Sequence, residues 1–154
     1  MLSVWWDIKG ILHYEFLEPN ETIDSIVYSQ QLITMNDKLS KIRPALFNQK
    51  KIFLLHDNAK PHVSKNVSKT IKDLGFEILP HPPYSPDLAP SDYYLFKHLQ
   101  NSLRDKVYFE EDDIKKHVDD FFASKTPAFF EKGIKKLPNR WKQCIDSLGN
   151  YFDY

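Results

Sequence analysis

One stretch, Phe53 to Phe96, constrains the fold more than any other. It reads FLLHDNAKPHVSKNV and, further on, FEILPHPPYSPDLAPSDYYLF. The run Ile52 to Leu55 is apolar without polar alternation, which suits a central strand covered on both faces. Val63, Val67, Ile71 and Leu74 then recur at helical spacing, and Phe76 to Leu79 is again strand-like, so the order is strand, helix, strand, helix. Asp57 ends the first strand and Asp92 opens the second helix, with 34 residues between them. Open α/β sheets place their chemistry at such changes of element.

The rest of the chain supplies the covering layers. Leu2 to Asp7 and Ile11 to Leu17 read as a β-hairpin whose Gly10 takes a positive-φ turn position. Trp5 and Trp6 are adjacent on the strand and must point to opposite faces. Thr22 is placed to cap a helix reaching Arg43, stopped by Pro44, with Tyr28, Leu32, Met35, Leu39 and Ile42 as one apolar stripe. Lys51 to His56 is the next strand, and a helix with Pro61 in its first turn ends at Gly75 as a left-handed terminator. Five of the ten prolines fall between Pro80 and Pro90, making a stiff strut that delivers Ser91 as N-cap and Asp92 into a first helical turn. Leu95, Phe96, Leu99 and Leu103 share the α-helical face of Asp92, so the acid should overhang the sheet edge. Helices follow over Glu110 to Ser124, from Thr126 as cap to Leu137, and from Pro138 to Gly149, leaving the tail YFDY. Trp141 with Arg140 is expected to pack the last helix on the sheet, and Cys144 to sit on that helix's apolar side.

At 154 residues, 42% hydrophobic and 14% aromatic, the expectation is one globular domain over residues 1–154. No run has the length of a membrane span, MLSVWWD lacks the pattern of a signal peptide, and one cysteine forms no internal disulfide. A soluble intracellular protein follows. Net charge is zero, but nine basic residues from Lys38 to Lys72 face the single acid Asp57, and seven acids against three lysines lie between Asp105 and Asp120. A positive region around an acidic centre suits a polyanion held beside a metal, although solvated lysine-rich helix faces give the same count.

Two carboxylates at one sheet edge repel and require a shared proton or a cation. Mg²⁺ takes oxygen ligands, binding through one or two carboxylates plus waters and substrate phosphate. Two such ions activate a water and stabilise the leaving oxygen of a phosphodiester. An acid in a first helical turn is equally a routine capping device, so the spacing alone leaves both readings open.

HDNAKPH and ILPHPPYSPDLAPSDYYLFKHL, together with the leading SVWWD and the closing LPNRWKQCIDSLGNYF, resemble the catalytic domain of mariner-type transposases, the group with an Asp, Asp, 34-residue, Asp signature. The resemblance runs co-linearly over essentially all of the chain. It implies an α/β, RNase H-like mixed sheet flanked by helices, with a helical C-terminal part. It also implies Mg²⁺ or Mn²⁺ as cofactor, transposon-end DNA and a TA target as partners, a homodimer, no membrane and a nuclear location. Asp57 matches the second catalytic, metal-binding Asp and Asp92 the third. Asp7 matches a hairpin Asp that is not a ligand.

Against the family pattern, this sequence lacks the first strand with its GDEKW-like motif and first catalytic Asp, the loop that clamps a partner subunit, and the N-terminal helix-turn-helix DNA-binding modules. The family's first strand lies between the Leu2 to Asp7 and Lys51 to His56 strands. Its loss leaves these two either to pair or to stand in a split sheet. The resemblance therefore implies a DNA transposase and endonuclease by ancestry whose chain is inactive alone. The alternative is a non-catalytic nuclear DNA-binding or dimerisation module, as in fusions of a SET methyltransferase with a mariner domain; a third reading is a fragment with no independent function. Around the acids, His56 is expected to be packed or hydrogen-bonded on the strand face opposite Asp57. Lys60, His81 and Tyr84 are the candidates for contact with DNA, and Asn58 follows Asp57 into the loop.

Overall fold

Asp7 shapes the hairpin turn: its Oδ1 accepts the backbone N–H groups of Lys9 at 2.9 Å and Gly10 at 3.0 Å. With Gly10 at φ +144°, strand β1 (Leu2–Asp7) folds back to pair with β2 (Gly10–Phe16). The structure, a computed structural model, describes residues 1–49 and 51–152. Lys50 of the basic run and Asp153 and Tyr154 of the tail lie outside the described residues. The fold divides into two compact units, Met1–Trp5 with Leu12–Ser85, and Trp6–Ile11 with Pro86–Tyr154.

In the first unit, helix α1 (Ser25–Ile42) is capped by Asp24, whose Oδ1 accepts from the Val27 N–H at 2.8 Å. The cap is not Thr22, because the carboxylate two residues later makes the stronger, charge-assisted bond. Tyr28, Leu32, Met35 and Leu39 are buried as the stripe requires, whereas Ile42 is 45% exposed at the last turn before α2 (Pro44–Phe47). They share a core with Leu12, Leu54, Val67, Ile71 and Phe76, and Trp5 packs against it. Strand β3 (Ile52–Leu54) runs parallel to β4 (Phe76–Ile78), Ile52 opposite Phe76 and Leu54 opposite Ile78. Both are shorter than the sequence suggested. Phe53 is 59% exposed, so β3 is covered on one face only, contrary to the doubly covered strand its apolar run implied. Among the described residues the strands form two separate two-stranded sheets, β1 with β2 and β3 with β4. Of the two expected outcomes, the split sheet is the one observed.

Helix α3 (Lys65–Asp73) crosses between the parallel strands. It starts after Ser64, whose hydroxyl accepts from the Val67 N–H at 3.4 Å, and not at Pro61. Pro61 sits in a turn closed by the Ala59 carbonyl, which accepts from His62 N–H at 2.9 Å, and Val63 is left 54% exposed. Gly75 at φ +80° ends the helix as anticipated. A part-buried polar chain ties the β1–β2 hairpin to α1. Ser3 Oγ donates to Gln31 Oε1, Gln31 Nε2 donates to Glu15 Oε1, and His13 bonds Glu15 and Lys38, each at 2.8–2.9 Å. Lys38, counted in the basic run, is thus engaged inside the unit.

The second unit is a cluster of aromatic side chains on short helices. A 3₁₀ turn (Pro86–Leu88) leads into a π-helical segment (Ser91–Phe96), α4 (Lys97–Leu103), α5 (Glu111–Ser124), α6 (Pro127–Lys135) and α7 (Leu137–Asp146). The acidic start of α5 is a capping box between Glu110 and Asp113. Tyr94, Leu95, Leu99, Phe121, Phe122 and Phe130 are buried. Trp6 lies 5.9 Å from the Phe130 ring, centroid to centroid, whereas Trp5 meets Tyr28 of the first unit at 5.3 Å. The alternation of the two tryptophans holds. Trp141 is 37% exposed and Ile145 73%. Arg140 packs α7 on the preceding turns and not on a sheet, its guanidinium 4.0 Å over the Tyr93 ring and Nη1 donating to the Asp87 carbonyl at 3.1 Å. Cys144 is half-buried. No helix among the described residues is long and apolar enough to cross a membrane.

Candidate active-site carboxylates

Asp57 stands three residues beyond β3, in a loop, because the ladder ends at Leu54. The loop is built by its own sequence, HDNAKPH. Asp57 Oδ1 accepts the Ala59 N–H at 3.0 Å, the side-chain turn that Asp favours, and Asn58 Nδ2 donates to the His81 carbonyl at 2.9 Å. His62 then comes back under the acid, its Nδ1 2.6 Å from Asp57 Oδ1 and 3.3 Å from the Asp57 carbonyl. The hydrogen bond from Ala59 and the close approach of His62 both fall on Oδ1, and the hydrogen bond of the His62 ring itself goes to the Asp57 carbonyl. The side chain of Asp57 is 59% exposed, that of His62 only 20%.

Beneath the acid lies a stack of rings. His62 and His56 are parallel, centroids 5.1 Å apart at 4°, and Tyr28 tilts against His62 at 4.1 Å. The Tyr28 hydroxyl is 2.7 Å from His56 Nδ1. Burial, then the neighbouring His62, push the His56 imidazole down to about 4, against the opposing pull of Asp57 and with a further drop from His81. Burial, then Asp57, hold the Tyr28 phenol well above its ordinary range. A protonated phenol therefore donates to a neutral imidazole. His56 is hydrogen-bonded as expected, but it does not face away from Asp57: both touch His62, because strand alternation stops before either residue.

Asp92, in the second unit, sits in the π-helical turn. Its N–H bonds the Ala89 carbonyl at 2.9 Å, as does that of Tyr93 at 3.0 Å. The wider i→i+5 winding shifts the phase, so Tyr93, Tyr94 and Leu95 are buried and Asp92 is exposed, not on the packed face that an α-helical count predicted. Nor does Ser91 cap the helix; its Oγ accepts the indole N–H of Trp6 at 2.9 Å. Asp92 lines a concavity of about 360 Å³ with Pro86, Tyr93, Phe96, Lys97 and Gln100. Single π turns recur at functional sites.

The two acids lie in different units, and among the described residues no three His, Cys, Asp or Glu side chains converge as a metal cluster. As donors they fit a hard divalent cation: each is an exposed carboxylate, and Mg²⁺ needs only one or two of these with waters. Of the residues expected to meet DNA, Lys60 is exposed, Tyr84 is 89% exposed at φ +52°, and His81 is half-buried with its carbonyl held by Asn58. His62 was not singled out from the sequence. Its only signal is the Pro-His pair that closes HDNAKPH, where a fixed-φ residue turns the chain back on Asp57.

A family model described as "Transposase (partial DDE domain)" matches residues 1–49. The human Histone-lysine N-methyltransferase SETMAR is 45% identical over 153 residues, covering 99% of this chain and 22% of that protein. The Mariner Mos1 transposase of Drosophila mauritiana is 43% identical over 154 residues, covering 99% of this chain and 45% of that one. The chain thus spans less than half the length of either curated relative. Among solved structures, the Mos1 transposase catalytic domain with Raltegravir and Mg superposes with a TM-score of 0.94 at 44% identity, covering 99% of this chain and 76% of that one. A pre-cleavage Mos1 transpososome gives 0.95 at 42% identity, covering 99% and 45%. A match this close in sequence and shape, over three-quarters of a solved catalytic domain, makes this chain a member of the mariner transposase catalytic-domain family.

Proposed function

We propose that this chain derives from the catalytic part of a mariner transposase, whose metal-dependent cleavage and joining of strands at transposon ends it does not carry out alone. The observation that carries the reading is the match of 99% of this chain to 76% of a Mos1 catalytic domain solved with Mg and, separately, with Mn. Asp57 and Asp92 are the metal ligands in this reading, with Mg²⁺ or Mn²⁺ as the ion. The ion, when bound, polarises a water and stabilises the departing oxygen of the phosphodiester. Asp57 contributes an exposed carboxylate whose Oδ1 is already engaged by Ala59 and His62, and Asp92 an exposed carboxylate at a stiff, proline-led turn. Lys60, three residues past Asp57, meets a DNA phosphate, and Tyr84 and His81 flank the strand path from the proline loop. A Mos1 relative is solved as a paired-end complex, and a homodimer and a nuclear location belong to the same reading as what the family resemblance implies.

The described residues offer no converging group of three metal-ligating side chains, so the purified chain alone is expected to bind DNA in a salt-dependent way and not to cut it. Mg²⁺-dependent nicking of a transposon-end duplex by the purified chain, lost in Asp57→Ala, would overturn that expectation. The 45% identity to SETMAR favours a second reading, a non-catalytic nuclear DNA-binding or dimerisation module. Mn²⁺ binding separates the two. The catalytic reading requires binding that Asp57→Asn removes, whereas a DNA-binding module shows salt-dependent DNA affinity indifferent to metal and to Asp57.

A further inference from the structure

We propose that Lys97, Lys125, Lys132 and Lys136 form one surface, around the exposed ring of His98, that binds the phosphodiester backbone of DNA. The inference rests on the salt-dependent DNA binding expected above and deepens it by giving that binding a place in the second unit.

Three observations carry the argument. First, the cations come together from separate elements. Lys97 opens α4, Lys125 follows α5, and Lys132 and Lys136 stand one turn apart at the end of α6. All four act on one ring: burial, then Lys125, Lys136, Lys132 and Lys97, hold the His98 imidazole below the ordinary 6.5, and no carboxylate is among these causes. A helix C-terminus favours lysines of its own, which accounts for Lys132 and Lys136 but not for the convergence of Lys97 on the same ring from another helix. Second, two of the ammonium groups are held by aromatic faces. Lys125 Nζ lies 4.7 Å from the centroid of Phe121 and 5.1 Å from that of Phe129, and Lys136 Nζ lies 5.3 Å from that of Tyr94. Tyr94 and Phe129 in turn pack on His98, at 4.6 Å and 5.3 Å. A lysine held over a ring keeps its charge and has less side-chain freedom to lose when it meets an anion. Third, acids on these helices neutralise other lysines. Lys115 pairs with Glu111, Lys116 with Asp120 and Lys135 with Glu131, and among the described residues Lys125, Lys132 and Lys136 enter no ion pair.

Cations gathered in this way repel one another, and a row of phosphates relieves the repulsion. Lys97 decides between DNA and an acidic protein as the polyanion. It also lines the concavity of Asp92, so a backbone held by these lysines runs beside that carboxylate.

The test uses the whole chain and a labelled DNA duplex of arbitrary sequence, with affinity measured over a salt series. Lys132→Gln and Lys136→Gln are each expected to weaken binding and to lower the slope of log affinity against log salt by about 1, and together by about 2. Lys116→Gln removes the same charge from α5 outside the surface and is expected to leave the slope unchanged. An equal fall in Lys116→Gln makes net charge the cause and overturns the proposal. A second measure needs no variant to fold. Duplex added to the parent is expected to raise the pKa of His98, followed by nuclear magnetic resonance of its ring, because bound phosphates offset the lysines. A ring that the duplex leaves unmoved overturns the proposal, as does one that polyglutamate moves and the duplex does not, which marks an acidic protein as the partner. A parent that binds no duplex fails the DNA reading and this inference with it. Duplex binding whose slope neither Lys132→Gln nor Lys136→Gln changes leaves that reading standing and removes only this surface.

Discussion

Tyr93 donates its hydroxyl to the Gly133 carbonyl at 2.7 Å, and the α carbon of that same glycine lies against the ring of Tyr94. Adjacent tyrosines of the π-helical turn thus grip one residue of α6. A Cβ at position 133 would stand 2.6 Å from Cε1 and 2.7 Å from Cγ of Tyr94, which is buried and has nowhere to go. Gly133→Ala is expected to destabilise the protein by about 1–3 kcal/mol in urea denaturation, although Ala is the better helix former. Tyr93→Phe removes the buried bond alone and should cost about 1 kcal/mol.

Leu32 is fully buried at the centre of the α1 stripe, and Ile26 on the same helix is 73% exposed. Leu32→Ala should cost about 2–5 kcal/mol, the transfer free energy plus the cavity left behind. Ile26→Ala should stay within about 0.5 kcal/mol of the parent. Comparable losses at both sites would mean that the α1 face is assigned wrongly.

Gly75 closes α3 at φ +80° with open space where a Cβ would project. The cost of Gly75→Ala is therefore conformational and not steric, about 1 kcal/mol. Asn, which tolerates the left-handed region, should recover part of it. Chemical denaturation of the three proteins in parallel decides the point.

His98 is exposed, yet burial of part of its ring, then Lys125, Lys136, Lys132 and Lys97, lower its pKa from the ordinary 6.5. The folded chain holds it neutral more strongly than the unfolded chain does. Its contribution to stability is therefore complete above about 6.5 and is lost as pH falls through the lowered folded value. Thermal melts should show a shallow acid-side loss that His98→Gln flattens. Added salt should shrink the part due to the four lysines.

Several features were legible in the residues because they depend on neighbours in sequence. The α1 stripe, the glycine turns at Gly10 and Gly75 and the opposed tryptophans all follow from local geometry and periodicity. The resemblance motifs likewise marked Asp57 and Asp92. What misled was competition between equally local signals. Thr22 and Asp24 both suit a cap, and the charged oxygen wins; Pro61 and Ser64 both suit a helix start, and the residue that can accept a hydrogen bond wins.

By itself, then, the sequence determined which segments could be strands and helices, where their turns fall, and which two acids stand at changes of element. Only the tertiary structure decided what surrounds those acids. The π winding that turns Asp92 outward depends on where Tyr93, Tyr94 and Leu95 find their partners, and a hydrophobic pattern counted at 3.6 residues per turn does not contain it. The contact of His62 with Asp57 depends on a ring stack that α1 supplies through Tyr28, 29 positions before Asp57 in the sequence. Spacing along the chain carries no record of such packing, because it is set by what the folded core leaves room for.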